Sequence, residues 1–281
     1  MKLKYSSLLA CAGFAALLIT ASTANAKPKP ILDSAQSFAV LGGTAVTLSN
    51  SVIVGDVGVD HGPLTQTTST ISGQVHVGDM VAQKAYDDFL LAYVALADIA
   101  CTGSLDTAYT NTTLTLTPGV YCNTAGVTFT NTTLTLDAQG DSNAVWIFKI
   151  GTLGTGALTG TDFTVKMTNG GTCNNVYWWT ADAATLTGTV IGSSPTFIGS
   201  ILAGASITAT DSTLDGQALA TVAVTLTRTT VSVCGGGSTP AKPKANEGVG
   251  NGVDGNTPGH LHNGGNDDPA FSPGNPGAKH K

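Results

Sequence analysis

The sequence predicts a mostly β fold, a solenoid with one helix laid against it, and three observations carry that reading. Thr occurs 43 times in 281 residues, against one Glu and three Met, a bias away from helix formers and toward residues that suit a pleated surface. A six-residue pattern of apolar residue, hydroxyl, any residue, hydroxyl, any residue, apolar residue returns seven times along the chain. A single segment has helical rather than strand periodicity.

Taken in order, Lys2 and Lys4 precede an apolar run from Leu8 to Ile19 and an Ala24-Asn25-Ala26 cleavage pattern, the three parts of a secretory signal. Residues 1–26 are therefore read as a leader and the mature protein as secreted and extracellular. That run is too short to span a bilayer, and no later stretch reaches the necessary length, so no membrane span is expected. The helical segment is Met80 to Ala100, where Ala82, Ala85, Tyr86, Phe89, Leu90, Tyr93, Val94, Leu96 and Ala97 form one stripe. Asp79 is placed to cap it, and Gln83, Lys84, Asp87 and Asp88 are assigned to its solvent face. At the other end, residues 235–281 are rich in Gly, Pro and Asn and nearly free of apolar side chains, so a disordered tail is expected. Its His260, His262 and His280 lack the fixed spacing of a metal site. The body is thus residues 27–234.

Within the body the seven copies begin at Leu48, Tyr109, Phe129, Leu158, Leu186, Ala209 and Leu226. Their middle residues are Asn50, Asn111, Asn131, Gly160, Gly188, Asp211 and Arg228, mostly types that tolerate tight bends, while the flanks alternate as a half-buried strand does. Each copy reads as strand, corner, strand. The last three lie about twenty residues apart, the period of a solenoid coil that buries its apolar side only by stacking on neighbours. The triplets Thr47-Leu48-Ser49, Thr128-Phe129-Thr130, Thr185-Leu186-Thr187, Thr208-Ala209-Thr210 and Thr225-Leu226-Thr227 share one register, with the central residue inward and the two hydroxyls outward. Ala108 and Ala157 are read as breaking the outer file in two coils. The corner hydroxyls Thr132, Thr161, Thr189 and Thr229 offer an alternative surface.

With Cys11 in the leader, the mature chain keeps Cys101, Cys122, Cys173 and Cys234, which in an exported protein read as two disulfides. Of the three connectivities, Cys101 with Cys122 and Cys173 with Cys234 is favoured, because the first closes a short loop after the helix and the second ties down the last residue of the body. A zinc site is disfavoured, since no C-x-x-C pair or neighbouring His accompanies them.

Twelve basic and eighteen acidic residues leave a net charge of −6 with a single Arg, which argues against nucleic acid as a partner. An enzyme of the solenoid class needs grouped carboxylates, whereas the body has no Glu and scattered Asp; Asp56, Asp60 and Asp79 with His61 and His76 are assigned a turn-capping or surface role in preference to calcium or catalysis. No catalytic residue, metal or cofactor is expected. Stacked coils instead set the Thr files about 4.8 Å apart from coil to coil and about 6.6 Å apart along each strand, a flat, nearly uncharged grid. Such a grid has a bland explanation in strand propensity and Thr ladders. Its functional reading is a match to water oxygens in ice. The partner would then be an ice crystal surface, met by a monomer through Thr47, Ser49, Thr128, Thr130, Thr185, Thr187, Thr208, Thr210, Thr225 and Thr227. The other reading is an adhesin or surface module of the same fold without ice activity.

Longer motifs add a resemblance. Phe38-Ala39-Val40-Leu41-Gly42-Gly43, Gly55-Asp56-Val57-Gly58-Val59, Leu116-Thr117-Pro118-Gly119-Val120-Tyr121-Cys122, Asn143-Ala144-Val145-Trp146-Ile147-Phe148 and Cys173-Asn174-Asn175-Val176-Tyr177-Trp178 resemble, in order, the ice-binding-like (DUF3494) family of secreted antifreeze proteins. Phe197 to Val231 is similar to that family's closing coils, and the likeness extends over about residues 31–234. The resemblance implies a right-handed, discontinuous parallel β-solenoid of triangular section with one long helix alongside, binding ice through a flat face without cofactor. It also fits the favoured cysteine pairing.

Overall fold

The computed structural model describes residues 29–152, 154–188 and 197–234; the leader, the tail and corner residue Thr189 lie outside them. Two nine-stranded sheets and one five-stranded sheet, paired throughout in parallel, form the faces of a solenoid. Coil order in space is not chain order. The first coil (Phe38–Gly42, Ala45–Ser49, Val52–Val54) sits between the second (Asp56–Val59, Leu64–Thr67, Thr70–Ile71) and the last (Ala218–Ala220, Ala223–Thr227, Thr230–Ser232). After Val75–Val77 the chain leaves one end of the stack, runs up its side as the helix Met80–Asp98, and re-enters at the far end with Gly103–Ser104 and Ala108–Thr110. The solenoid is discontinuous in this sense.

The helix begins where Asp79 accepts from the backbone N–H groups of Val81 and Ala82 at 3.0 and 2.8 Å. At its other end the Lys149 ammonium donates to the carbonyls of Ala97 and Ile99, where unpaired carbonyls and the helix dipole favour a cation. Ala85, Phe89, Ala92 and Leu96 pack on Phe38, Leu41, Ile147, Tyr177, Trp179, Leu202 and Leu219 of the underlying sheet. Two helix assignments are corrected. Val94 is exposed, turned away by its place on the helix, whereas Asp88 is buried: the short 3₁₀ segment Asp33–Ser37 covers it, the Ser34 hydroxyl and amide donate to it, and Lys84 pairs with it. Those donors make burial of a carboxylate tolerable.

Inside the solenoid, side chains of like type stack from coil to coil. Tyr109, Phe129 and Phe163 are near-parallel, with ring centroids at 5.1 and 4.1 Å, and Phe148 lies on Trp178 at 3.9 Å. Rings of this size contribute about 1.5–3 kcal/mol each by leaving water. At one end Tyr109 closes the stack and its hydroxyl accepts from the Asp106 amide; at the other the inward register position passes from Leu48 to Gln66, which bonds to the Ser69 carbonyl. Polar terminal coils leave less apolar edge open for another chain.

Both disulfides pair as favoured, with Cα atoms 5.9 Å apart in Cys101–Cys122 and 5.6 Å apart in Cys173–Cys234. The described chain enters and leaves at one edge, between the helix-covered sheet and the five-stranded sheet: Lys29 donates to Asn175, and Cys234 joins Cys173 two residues before it.

Candidate functional site: an in-register hydroxyl array

The second nine-stranded sheet carries the hydroxyl triplets on its outer side. In register across it run Ala108, Thr128, Thr159, Thr185, Thr208, Thr225, Thr47 and Thr65, and beside them Thr110, Thr130, Thr161, Thr187, Thr210, Thr227, Ser49 and Thr67. Every contact residue expected from the sequence is on this face. Thr128, Thr185, Thr187 and Thr208 are exposed; Thr47, Ser49, Thr130, Thr210, Thr225 and Thr227 are half-buried by their neighbours. Between the two files the residues Phe129, Leu186, Ala209, Leu226 and Leu48 point into the core, which holds the hydroxyls outward. Neither file contains a charged residue.

Two rungs escaped the sequence reading. The coil from Leu158 is shifted by two: Thr159 rather than Ala157 occupies the outer file, and Gly160 is the inward residue in register with Phe129 and Leu186, not the corner. The missing side chain at Gly160 is filled by Phe163 from the next strand segment, since a Cβ there would lie 2.9 Å from Leu186 and 3.3 Å from Phe163. Glycine and ring have exchanged places, so a search for an apolar centre misses Thr159-Gly160-Thr161. Thr65-Gln66-Thr67 was missed for the related reason that Gln66 caps the stack. A search for alternating Thr alone recovers both.

The corner beside the array is a column of left-handed residues. Asn111, Asn131, Asp162, Gly188, Asp211, Arg228, Asn50 and Thr68 all have φ between 46° and 67°. Asn and Asp tolerate this conformation through local hydrogen bonds, and Gly at no steric cost. Arg228 does not, and the bidentate pair it makes with Asp211 of the neighbouring coil, at 2.6 and 2.8 Å, offsets the strain. The same pair holds the Asp211 carboxyl below its ordinary range and cancels the cation nearest the array.

The second hydroxyl of the repeating motif has a different task from the first. Thr132, Ser212, Thr229 and Ser51 are buried, and donate back to the carbonyls of Thr130, Thr210, Thr227 and Ser49. Each adds a second donor to a peptide oxygen at the bend that already accepts an amide from the adjacent coil, that of Asn111, Gly188, Asp211 and Arg228 respectively. Thr132 and Thr229 are thereby removed from the alternative contact surface, while Thr161 belongs to the main array.

The chemistry available elsewhere is limited. Asp56 accepts from the Gln74 amide, as Asp79 does from the first helix amides, while Asp60 pairs with His61 and Asp79 with His76 side chain to side chain. Among the described residues the one grouping within metal-ligand reach is Cys173, Asp215 and Cys234, and its two sulfurs form a disulfide. No described helix is long and apolar enough to cross a membrane.

A family model described as ice-binding-like matches residues 40–232. The chain belongs to the ice-binding-like family. An ice-binding protein of Nostoc sp. (strain HG1) is 36% identical over 210 residues, 74% of this chain and 73% of that one. Among solved structures, the ice-binding protein of the Antarctic ascomycete Antarctomyces psychrotrophicus superposes with a TM-score of 0.63 at 30% identity, covering 73% of this chain and 98% of that one. One from an Antarctic biological consortium gives 0.64 at 29%, covering 73% and 91%. The matched span of this ice-binding-like chain holds the whole array from Thr47 to Thr227.

Proposed function

We propose that this ice-binding-like protein is secreted and adsorbs to ice through the array of paired hydroxyls, acting as a monomer and without catalysis or cofactor. The observation that carries the reading is the register: eight coils place their outward side chains in two straight files, and all but Ala108 and Ser49 are Thr. The methyl of each Thr orders water over the face because it offers no hydrogen bond, and the hydroxyl beside it anchors that water. A stacked core fixes the grid, so little entropy is lost when the face meets a crystal. Growth then proceeds only between adsorbed molecules, as a curved front with a lowered local freezing point. Curated relatives and solved neighbours named as ice-binding proteins support the reading, and two disulfides suit an extracellular site.

The test is Thr208→Lys at the centre of the array. Its side chain points to solvent, so the thermal unfolding midpoint stays within about 2 °C, in keeping with the small effects of surface substitutions. Thermal hysteresis and inhibition of ice recrystallisation fall sharply. Full activity in the variant would reject this face, and exclusion of the parent protein from growing ice would favour the adhesin reading.

A further inference from the structure

The hydroxyl pattern does not stop at the edge of the sheet. Strands Val127–Asp137 and Leu158–Thr168 pass through the corner unbroken and beyond it pair with each other, Val127–Asp137 pairing on its other side with Thr113–Leu116. There Thr113, Thr133 and Thr164 share one register, and Thr115, Thr135 and Lys166 the next outward one. Leu114, Leu134 and Val165 between them pack into the core, so the Thr side chains point away from it. At the corner joining the two arrays, the Asn131 side-chain amide donates to the Asn111 side-chain carbonyl at 2.8 Å.

This second array belongs to these coils and not to the third face in general. Further along that face Val52 stands in register between Thr230 and Thr70, and Asp215 beside Ser232. At the near limit Lys166 puts an exposed, strongly hydrated ammonium into the file. The patch is therefore small, bounded, and continuous with the main array around the Asn corner.

We propose that Thr113, Thr115, Thr133, Thr135 and Thr164 form a second ice-contacting surface, set at a fixed angle to the first. The inference rests on the reading of the main array as an ice-binding face and extends it. Two rigid grids meeting at an edge let the protein adsorb in two orientations, and so to crystal planes that one grid does not match.

The experiment images fluorescently labelled full-length protein adsorbed to a single-crystal ice hemisphere. Three variants are compared with the parent: Thr135→Tyr, Lys166→Thr and Thr208→Tyr, each checked for an unchanged unfolding midpoint. Thr135→Tyr removes one set of illuminated planes and keeps the other, Lys166→Thr strengthens that same set, and Thr208→Tyr removes the complementary set. Patterns identical to the parent for both Thr135→Tyr and Lys166→Thr overturn the second surface. If Thr208→Tyr changes nothing while Thr135→Tyr abolishes adsorption, the main array is the assignment that fails and the small patch is the contact surface.

Discussion

Two threonines four residues apart, Thr225 and Thr229, allow the contact role of the motif to be separated from its structural role. Thr→Val is nearly isosteric and removes only the hydroxyl. At Thr229, which is 1% exposed, that hydroxyl donates to the carbonyls of Thr227 and Ala209, both at 3.0 Å. Deleting it removes one shared hydrogen bond while the Thr227 carbonyl keeps the Asp211 amide, at about 0.5–1.5 kcal/mol. For a body of this size each kcal/mol moves the unfolding midpoint by about 2–4 °C, so Thr229→Val is expected to lower it by about 1–6 °C. At Thr225 the hydroxyl faces outward from the array, and Thr225→Val should leave the midpoint nearly unchanged because β-branching and strand propensity are kept. Scanning calorimetry reads the first quantity and recrystallisation inhibition the second. Thr229→Val lowers the midpoint at near-parent activity per folded molecule, and Thr225→Val does the reverse. Equal unfolding midpoints for the two variants would refute the division of the motif into an outward contact hydroxyl and an inward corner hydroxyl.

Replacing Phe163 by Ala removes the ring that fills the space over Gly160, and should cost about 3–5 kcal/mol in denaturant unfolding. Asp79→Ala, which deprives Val81 and Ala82 of their acceptor, should cost about 1 kcal/mol by the same measurement. The carboxyls of Asp79, Asp88, Asp137 and Asp211 are held below their ordinary value, chiefly by hydrogen bonds from Ala82, Lys84, Asn169 and Arg228 respectively. The folded chain therefore binds fewer protons than the unfolded one. Their stabilisation is complete above the unfolded value of about 3.9 and disappears as pH falls through the folded values; Asp215, raised by burial, opposes the trend. Unfolding midpoints measured from pH 7 to 2 should be level down to about pH 5 and then decline, with a shallower decline in Asp88→Asn. Closing loops of 21 and 61 residues, the disulfides stabilise by about 3 and about 4 kcal/mol on chain-entropy grounds, so Cys173→Ser with Cys234→Ser should lower stability more than Cys101→Ser with Cys122→Ser.

Much of this was legible in the sequence because a solenoid writes its contacts locally. Each coil repeats the same short alternation, so inward Phe129, Leu186 and Leu226 and outward Thr128, Thr185 and Thr225 follow from period two alone. The helix and its Asp79 cap are equally local. What stayed hidden required knowing which coil lies on which. The exchange between Gly160 and Phe163 is a packing agreement across the stack, and it disguised Thr159 and Thr161. Burial of Asp88 depends on a segment 54 residues earlier that donates to it. Gln66 violates the apolar pattern because it lies in an outer coil, and terminal coils are defined by spatial order.

The meeting of both described ends at one edge has a mechanical consequence. That edge joins the two faces other than the paired-hydroxyl sheet, so Lys29 and Cys234 both lie on the back of the molecule, close to each other. Any cargo fused before the first or after the second, whether a fluorescent reporter, a linker to a bead or a further module, trails behind and leaves the front unobstructed. Held at either of these two positions, the described body would present itself to approaching water in the same attitude.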